Sequence, residues 1–271
     1  MDNSLIILAG GKGTRFGTIG KALPKCMLVV YDQLIIQRSI IQAISAGIDK
    51  IFISINPTLY IKVKNILADI SFNKKVQIII IKNRFHKEGA LFALQFILHK
   101  YTFNKVFITY GDTYFLNNPF GESKKIFIDE KDYFFGSKIS IYENFNNAGV
   151  IMVSHTKKIR SIVKPASWIN KNCYIWNGLW CVDARKTLVI LSKYLRDYSK
   201  EKPDEDYLNF FLSLSKNVYM KKSSTFINVN NPIDLFMASI CRLKEINKLS
   251  TNLNLHINEL SKYLQMEIDH S

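Results

Sequence analysis

The sequence predicts an α/β fold with a mixed, mainly parallel central sheet, and three observations predict it. Short apolar runs alternate with helix-period segments through the first half of the chain, the rhythm of strands joined by crossover helices. After Gly111-Asp112 the rhythm changes to consecutive extended candidates, which implies an antiparallel part of the same sheet. The 271 residues, 48% hydrophobic, suffice for one large domain with a sizeable core. No internal repeat or low-complexity linker divides them.

Strands are expected at residues 5–9, 51–55, 76–81 and 106–110. Between the first two, Ile36, Ile40, Ala43 and Ile44 share one helix face, and that helix ends where Gly47 takes a left-handed cap. Pro57-Thr58 opens a weaker helix, and the spacing of Ala90, Ala93, Leu94, Ile97 and Leu98 gives a third. The result is βαβαβαβ, a Rossmann-like three-layer α/β/α arrangement. Further strands are expected at 133–141, 150–153, 159–163 and 174–182, then helices near 184–195, 204–214 and 232–246. Residues 247–271 read as a polar turn and a short amphipathic helix carrying Leu255, Ile257, Leu260, Tyr263 and Leu264. The expected division is therefore a domain over 1–246 and a C-terminal helical extension over 247–271, packed on the domain or on a second subunit.

A net charge of +15 admits nucleic acid, an anionic membrane or anionic small molecules as partners. The lysines are scattered as Lys74-Lys75, Lys157-Lys158 and Lys221-Lys222, with no long basic run and no aromatic RNA-binding signature, which argues against nucleic acid. Cys26, Cys173, Cys181 and Cys241 form no Cys-x-x-Cys pair and no zinc spacing. The N-terminus carries Asp2 and an apolar run too short for a signal peptide. No apolar stretch approaches the roughly 20 residues of a spanning helix. A cytoplasmic protein without membrane insertion is the expectation.

The most informative segment is Leu8-Ala9-Gly10-Gly11-Lys12-Gly13-Thr14-Arg15-Phe16-Gly17, directly after the first strand. Glycines let the backbone approach a ligand without Cβ obstruction, and successive N–H groups converge on phosphate oxygens. Neither a Walker A loop nor the dinucleotide Gly-x-Gly-x-x-Gly fits this register. Arg15 offers a planar fork to a triphosphate and Lys12 a mobile point charge. Ten positions after Arg15, Pro24 stiffens the loop and Lys25 adds another cation. A turn serving only the fold explains the glycines but not Arg15 and Lys25 together.

Gly-Gly-x-Gly-Thr-Arg followed by Pro-Lys resembles the signature of the sugar-phosphate nucleotidyltransferase family, the NDP-sugar pyrophosphorylase-like enzymes that make dTDP-glucose, CDP-glucose or GDP-heptose. The similarity continues through Tyr31-Asp32, Ala46-Gly47-Ile48 and the strand at 51–55, and is traceable to about Leu235. It implies a fold of the nucleotide-diphospho-sugar transferase type and a reaction moving NMP from an NTP to a small phosphorylated acceptor, with release of pyrophosphate. It further implies Arg15 and Lys25 as catalytic residues. Leu8, Ala9, Gly10, Gly11, Gly13, Thr14, Gly89 and Gly111 would contact the nucleotide.

Asp112 follows the fourth strand, at the carboxyl edge where open α/β sheets bind ligands. By resemblance it matches the family's magnesium ligand, and magnesium needs only one or two protein carboxylates. The second family ligand aligns with Asn228 in Phe226-Ile227-Asn228-Val229-Asn230-Asn231-Pro232. An amide oxygen adds no negative charge there, so the ion is held more weakly or more dependently on substrate. Asp234 is expected to serve the first turn of the following helix instead.

On the acceptor side, Lys164-Pro165 resembles the family's Glu-Lys-Pro element, with Val163 replacing the acidic residue. That departure leaves the phosphate contact of Lys164 and puts an ordinary hexose in doubt. Asn147-Ala148-Gly149-Val150 and Asn177-Gly178 resemble further acceptor elements, so Gly149 and Asn177 are carried over. Trp168, Tyr174, Trp176 and Trp180 read as core or lip residues. Aromatic faces also enclose quaternary ammonium groups, which keeps open a CTP-dependent cytidylyltransferase for a phosphocholine-like acceptor. Two further readings compete with these, a molybdopterin-type guanylyltransferase and a non-catalytic nucleotide-binding regulator. No Ser-His-Asp or Cys-His constellation is expected, because an ionised phosphate needs no general base to attack phosphorus. The resemblance also carries the expectation of a homodimer.

Overall fold

The computed structural model describes residues 3–11, 13–68, 70, 76–85, 88–138, 149–163, 173–196, 204–223 and 225–247. Along the chain come β1 (Ser4–Ala9), α1 (Gly17–Ala22), β2 (Val29–Val30), β3 (Gln33–Leu34), α2 (Ile35–Ser45), β4 (Lys50–Ile55) and α3 (Tyr60–Ala68). Then follow β5 (Gln77–Lys82), α4 (Ala90–Lys100), β6 (Lys105–Tyr110), β7 (Thr113–Phe115), α5 (Ser123–Ile128) and β8 (Asp132–Ser137). The later part holds β9 (Val150–Val153), β10 (Ile159–Val163), β11 (Cys173–Asp183), α6 (Ala184–Arg196) and α7 (Asp204–Leu214). It closes with β12 (Val218–Lys222), β13 (Phe226–Asn228) and α8 (Pro232–Asn247).

Among the described residues the main sheet runs β10-β9-β11-β6-β1-β4-β5, with β8 against β11 and β12 against β8. The β6-β1-β4-β5 half is parallel, as its βαβ rhythm predicts. The antiparallel half begins where β11 joins β6, and among its described strands β12 alone lies parallel to its partner β8. Every residue of β1 is buried, as expected of a central strand covered on both faces. One core lies between the sheet and α4, α6 and α7, around Leu94, Ile97, Leu191 and Phe211. The opposite face packs Ile36, Ile40, Ala43 and Val63 of α2 and α3. Gly47 has φ +83 and closes α2 as the left-handed cap expected of it.

Several elements escaped the sequence pattern. The β2-β3 hairpin, β7 and β13 have two or three residues each, below the length at which periodicity signals, while β12 reads Val-Tyr-Met-Lys-Lys, without apolar–polar alternation. The strand expected at 133–141 is described over Asp132–Ser137 and ends before Lys138, while 139–141 lie outside the described residues. So do the C-terminal helix, Lys12, Trp168, Lys164-Pro165 and Asn147-Ala148.

A change of strand partner positions the site. β11 pairs with β9 through Cys173–Ile175 and with β6 through Trp180–Asp183. Between these two partners its register against β8 shifts at Trp176–Trp180, and Gly178 there adopts φ +74. The sheet therefore opens at Asn177-Gly178, alongside the carboxyl end of β6.

Candidate active site

A cavity of about 390 Å³ lies at the carboxyl ends of β1, β4, β5 and β6. Ten residues expected at a nucleotide site line it: Leu8, Ala9, Gly10, Gly11, Gly13, Arg15, Lys25, Gly89, Gly111 and Asp112. The loop after β1 turns on Gly13 at φ +62, whose carbonyl accepts from Phe16 N at 3.0 Å. Its rear is closed by Gly20 of α1, where an added Cβ would lie 1.9 Å from the Gly13 oxygen. Thr14 opens a single 3₁₀ turn that carries Arg15. Gly111 donates its N–H to the Leu8 carbonyl at 3.0 Å, and a Cβ on it would approach Ala9 Cβ to 2.6 Å. The two strand ends thus meet too closely for any side chain at position 111.

Pro24 at φ −67 leads into a second 3₁₀ turn, Lys25–Met27. That turn delivers the Lys25 ammonium to 3.0 Å from Asp112 Oδ2 and 2.9 Å from Asn230 Oδ1. The side chains of Lys25 and Asp112 are 17% and 31% exposed, so the pair sits in the cavity wall. Cys26 beside it is buried, and burial together with the Asp112 charge pushes its thiol above the ordinary range. It is no candidate for a thiolate nucleophile.

The segment after β13 is pinned from two directions. Val229 donates to the Asp112 carbonyl at 2.9 Å. Asn231 caps α8, its Oδ1 accepting from Ile233 and Asp234, while Asp234 Oδ2 accepts from the N–H groups of Asn230 and Asn231. Asp234 thus has the helix-opening role read from the sequence. Burial raises its carboxyl above the usual range, against the pull of those two N–H groups and of the Lys25 and Arg15 charges.

Asn228 does not line the cavity. Its Oδ1 accepts from the Thr113 hydroxyl at 3.1 Å, across the Asn228–Thr113 pair of the β13-β7 ladder. The amide that reaches Lys25 belongs to Asn230, two residues on. Asp112 and one or both of these asparagines offer hard oxygen donors. The Lys25 ammonium already lies as a cation against Asp112 and Asn230, so this donor set fits a small divalent ion.

Gly149 and Asn177 stand apart from the cavity, at the opening of the sheet. The Gly149 carbonyl accepts from Trp176 N at 2.8 Å. Asn177 is fully buried; its Oδ1 accepts from Leu179 N at 3.1 Å, and its Nδ2 has no partner among the described residues. A buried amide donor left unmatched is costly. A Cβ on Gly178 would approach the Tyr110 ring to 2.9 Å, so Tyr110, which lines the cavity, connects the two places. Trp176 and Trp180 pack edge to face at 6.3 Å in the core and form no cage. Lys138 lies over the Tyr174 ring at 4.3 Å.

The sequence reading missed Ser54, Asn83, Tyr110 and Asn230 on the cavity wall. Ser54 is the one polar residue in the predicted strand at 51–55, and its buried hydroxyl has no partner among the described residues. That polar interruption near a carboxyl end was the available signal. Asn83 Oδ1 accepts from Phe85 N at 2.9 Å, which leaves the amide NH₂ toward Gly10.

The nucleotidyl transferase family model matches residues 4–225. A comparison with curated proteins finds no match. The inositol-1-phosphate CTP transferase from T. maritima superposes with a TM-score of 0.69 at 17% identity, covering 96% of this chain and 95% of that one. UDP-glucose pyrophosphorylase from Acinetobacter baumanii gives 0.71 at 17%, with 96% and 100% covered. HddC from Yersinia pseudotuberculosis gives 0.65 at 20%, with 88% and 98% covered. These similarities establish the fold.

Proposed function

Since the chain belongs to the nucleotidyl transferase family, we propose that it transfers the NMP part of a nucleoside triphosphate to a small phosphorylated acceptor, a sugar 1-phosphate, releasing pyrophosphate. The observation that carries the reading is that the glycine loop, Arg15, Lys25 and Asp112 line one cavity. The glycine-loop amides and Arg15 hold the β- and γ-phosphates, and they stabilise the pyrophosphate as it leaves. Lys25 bridges the α-phosphate and the incoming phosphate, lowering the repulsion between two polyanions. Asp112 and the amide oxygen of Asn230 or Asn228 would hold a magnesium ion, which would supply charge neutralisation at the α-phosphate. The acceptor lies toward the opening of the sheet, where Asn177 Nδ2 awaits a hydrogen-bond acceptor, with Lys164 contributing from the segment after β10. In-line placement and charge neutralisation complete the catalysis, and no side chain need remove a proton.

In support of the acceptor class, two of the similar structures are an inositol-1-phosphate CTP transferase and a UDP-glucose pyrophosphorylase. The buried packing of Trp176 and Trp180 takes these two rings away from a phosphocholine cage. The proposed setting is cytoplasmic; among the described residues no helix is long and apolar enough to cross a membrane. A homodimer is part of the proposal, tested by sedimentation. The deciding experiment measures pyrophosphate release across five NTPs combined with glucose, heptose and inositol phosphates and phosphocholine. Release is expected for one pairing with a sugar 1-phosphate, and EDTA should abolish it. Silence with every pairing, despite tight nucleotide binding, would establish a non-catalytic sensor instead.

A further inference from the structure

We infer that Lys25 is a resident countercation that keeps the divalent-ion site shut until nucleotide arrives. The inference rests on the proposed reaction and adds an order of events to it. The Lys25 ammonium engages Asp112 Oδ2 at 3.0 Å and Asn230 Oδ1 at 2.9 Å, the two cavity-wall oxygens that a metal would need. Asn228, the other oxygen donor nearby, accepts from the Thr113 hydroxyl. Among the described residues no cluster of three or more His, Cys, Asp or Glu could hold an ion unaided. Among the described residues, Asp112 is the one carboxylate lining a cavity that also carries the cations Arg15 and Lys25.

A divalent ion approaching Asp112 in the free protein must displace an ammonium from a wall where it is only 17% exposed. Unpartnered, that ammonium would remain a few ångströms from a doubly charged neighbour, a repulsion that offsets much of the attraction of one carboxylate, and the cost of dehydrating the ion offsets more. A bound triphosphate changes both terms together. Its oxygens give Lys25 new acceptors and the metal new ligands, so Lys25 moves from Asp112 to phosphate as the metal takes its place. Metal and nucleotide then bind with reciprocal positive coupling, and the empty enzyme stays free of metal.

The test titrates Mn²⁺ by EPR against wild type, Lys25→Met and Asp112→Asn, each without nucleotide, with circular dichroism to check folding. Wild type is expected to show no site tighter than about millimolar. Lys25→Met should bind Mn²⁺ at least about tenfold more tightly, and adding Asp112→Asn to it should abolish the gain. Equal Mn²⁺ affinity in wild type and Lys25→Met overturns the inference. If Lys25→Met fails to fold, wild type alone decides: a submillimolar site that Asp112→Asn removes overturns it, and the absence of such a site upholds it. Adding non-hydrolysable analogues of the five NTPs separates the two claims. Failure of every analogue to bind condemns the nucleotide reading, whereas tight analogue binding to a protein already loaded with Mn²⁺ condemns only the order of events.

Discussion

Lys186–Asp132 and Lys25–Asp112 are Lys–Asp pairs in opposite settings. At the base of the antiparallel half, Asp132 is fully buried. It accepts from Lys186 Nζ, from Asp183 N at 2.8 Å and from Ser215 Oγ at 3.4 Å. Its charge is consumed by the fold, tying β8 to the start of α6. In the cavity wall, the Asp112 carboxylate accepts from Lys25 at 3.0 Å, and 31% of its side chain stays open. The same two residue types make a structural tie where the carboxylate is enclosed by donors and, in the proposed function, a reactive site where oxygen remains to spare. Carboxylate identity alone would not separate them; position at a carboxyl strand end beside a glycine loop does.

Substitutions should divide along that line. Lys25→Ala is expected to lower turnover by about two orders of magnitude or more, the cost of losing a transition-state donor, while thermal denaturation stays near wild type. Near-normal rates for purified Lys25→Ala would refute its role. Asp132→Ala should do the reverse. Chemical denaturation is expected to show a loss of about 2–3 kcal/mol, below the full cost of breaking a buried pair because Lys186 is 34% exposed and can reach water. Turnover per folded molecule should hold.

Gly20→Ala sharpens the comparison from within the loop. Its Cβ would meet the Gly13 carbonyl at 1.9 Å, so loop and α1 must separate, a strain of about 1–3 kcal/mol. Calorimetry should show nucleotide affinity reduced by about tenfold. The smallest effect belongs to a third ion pair, Asp32 with Arg242 of α8, at 2.9 Å through both oxygens. The Arg242 hydrogen bonds hold the Asp32 carboxyl below its ordinary 3.8. A depressed carboxylate stabilises the fold above its unfolded pKa and loses that contribution as pH falls through the folded value. Stability from this pair should therefore be constant from pH 7 to about 5 and fade below 3.8. The pair is exposed, so the change should stay under about 1 kcal/mol and vanish in Asp32→Asn.

Legibility in the sequence followed the same division. The parallel half could be read because its strands are apolar runs and its helices carry period-3.6 faces, and the cavity because Gly10 to Arg15, Lys25 and Asp112 each follow a strand or a proline-set turn. Gly20 was not legible: its role is to lack a Cβ against Gly13, a contact between chain segments that no local pattern records. Asn230 was hidden by Asn228, since only the β13-β7 register shows which of the two amides spends its oxygen on Thr113. Asn177-Gly178 was visible as a motif, but its place at the opening of the sheet depends on β11 changing partners, a long-range property.

The most direct test is a crystal structure with a non-hydrolysable NTP and Mn²⁺. The account predicts an anomalous peak within coordination distance of Asp112, the β- and γ-phosphates on the Gly10–Gly13 amides and Arg15, and Lys25 turned from Asp112 to phosphate. A nucleotide bound elsewhere, or a metal that ignores Asp112, would contradict it.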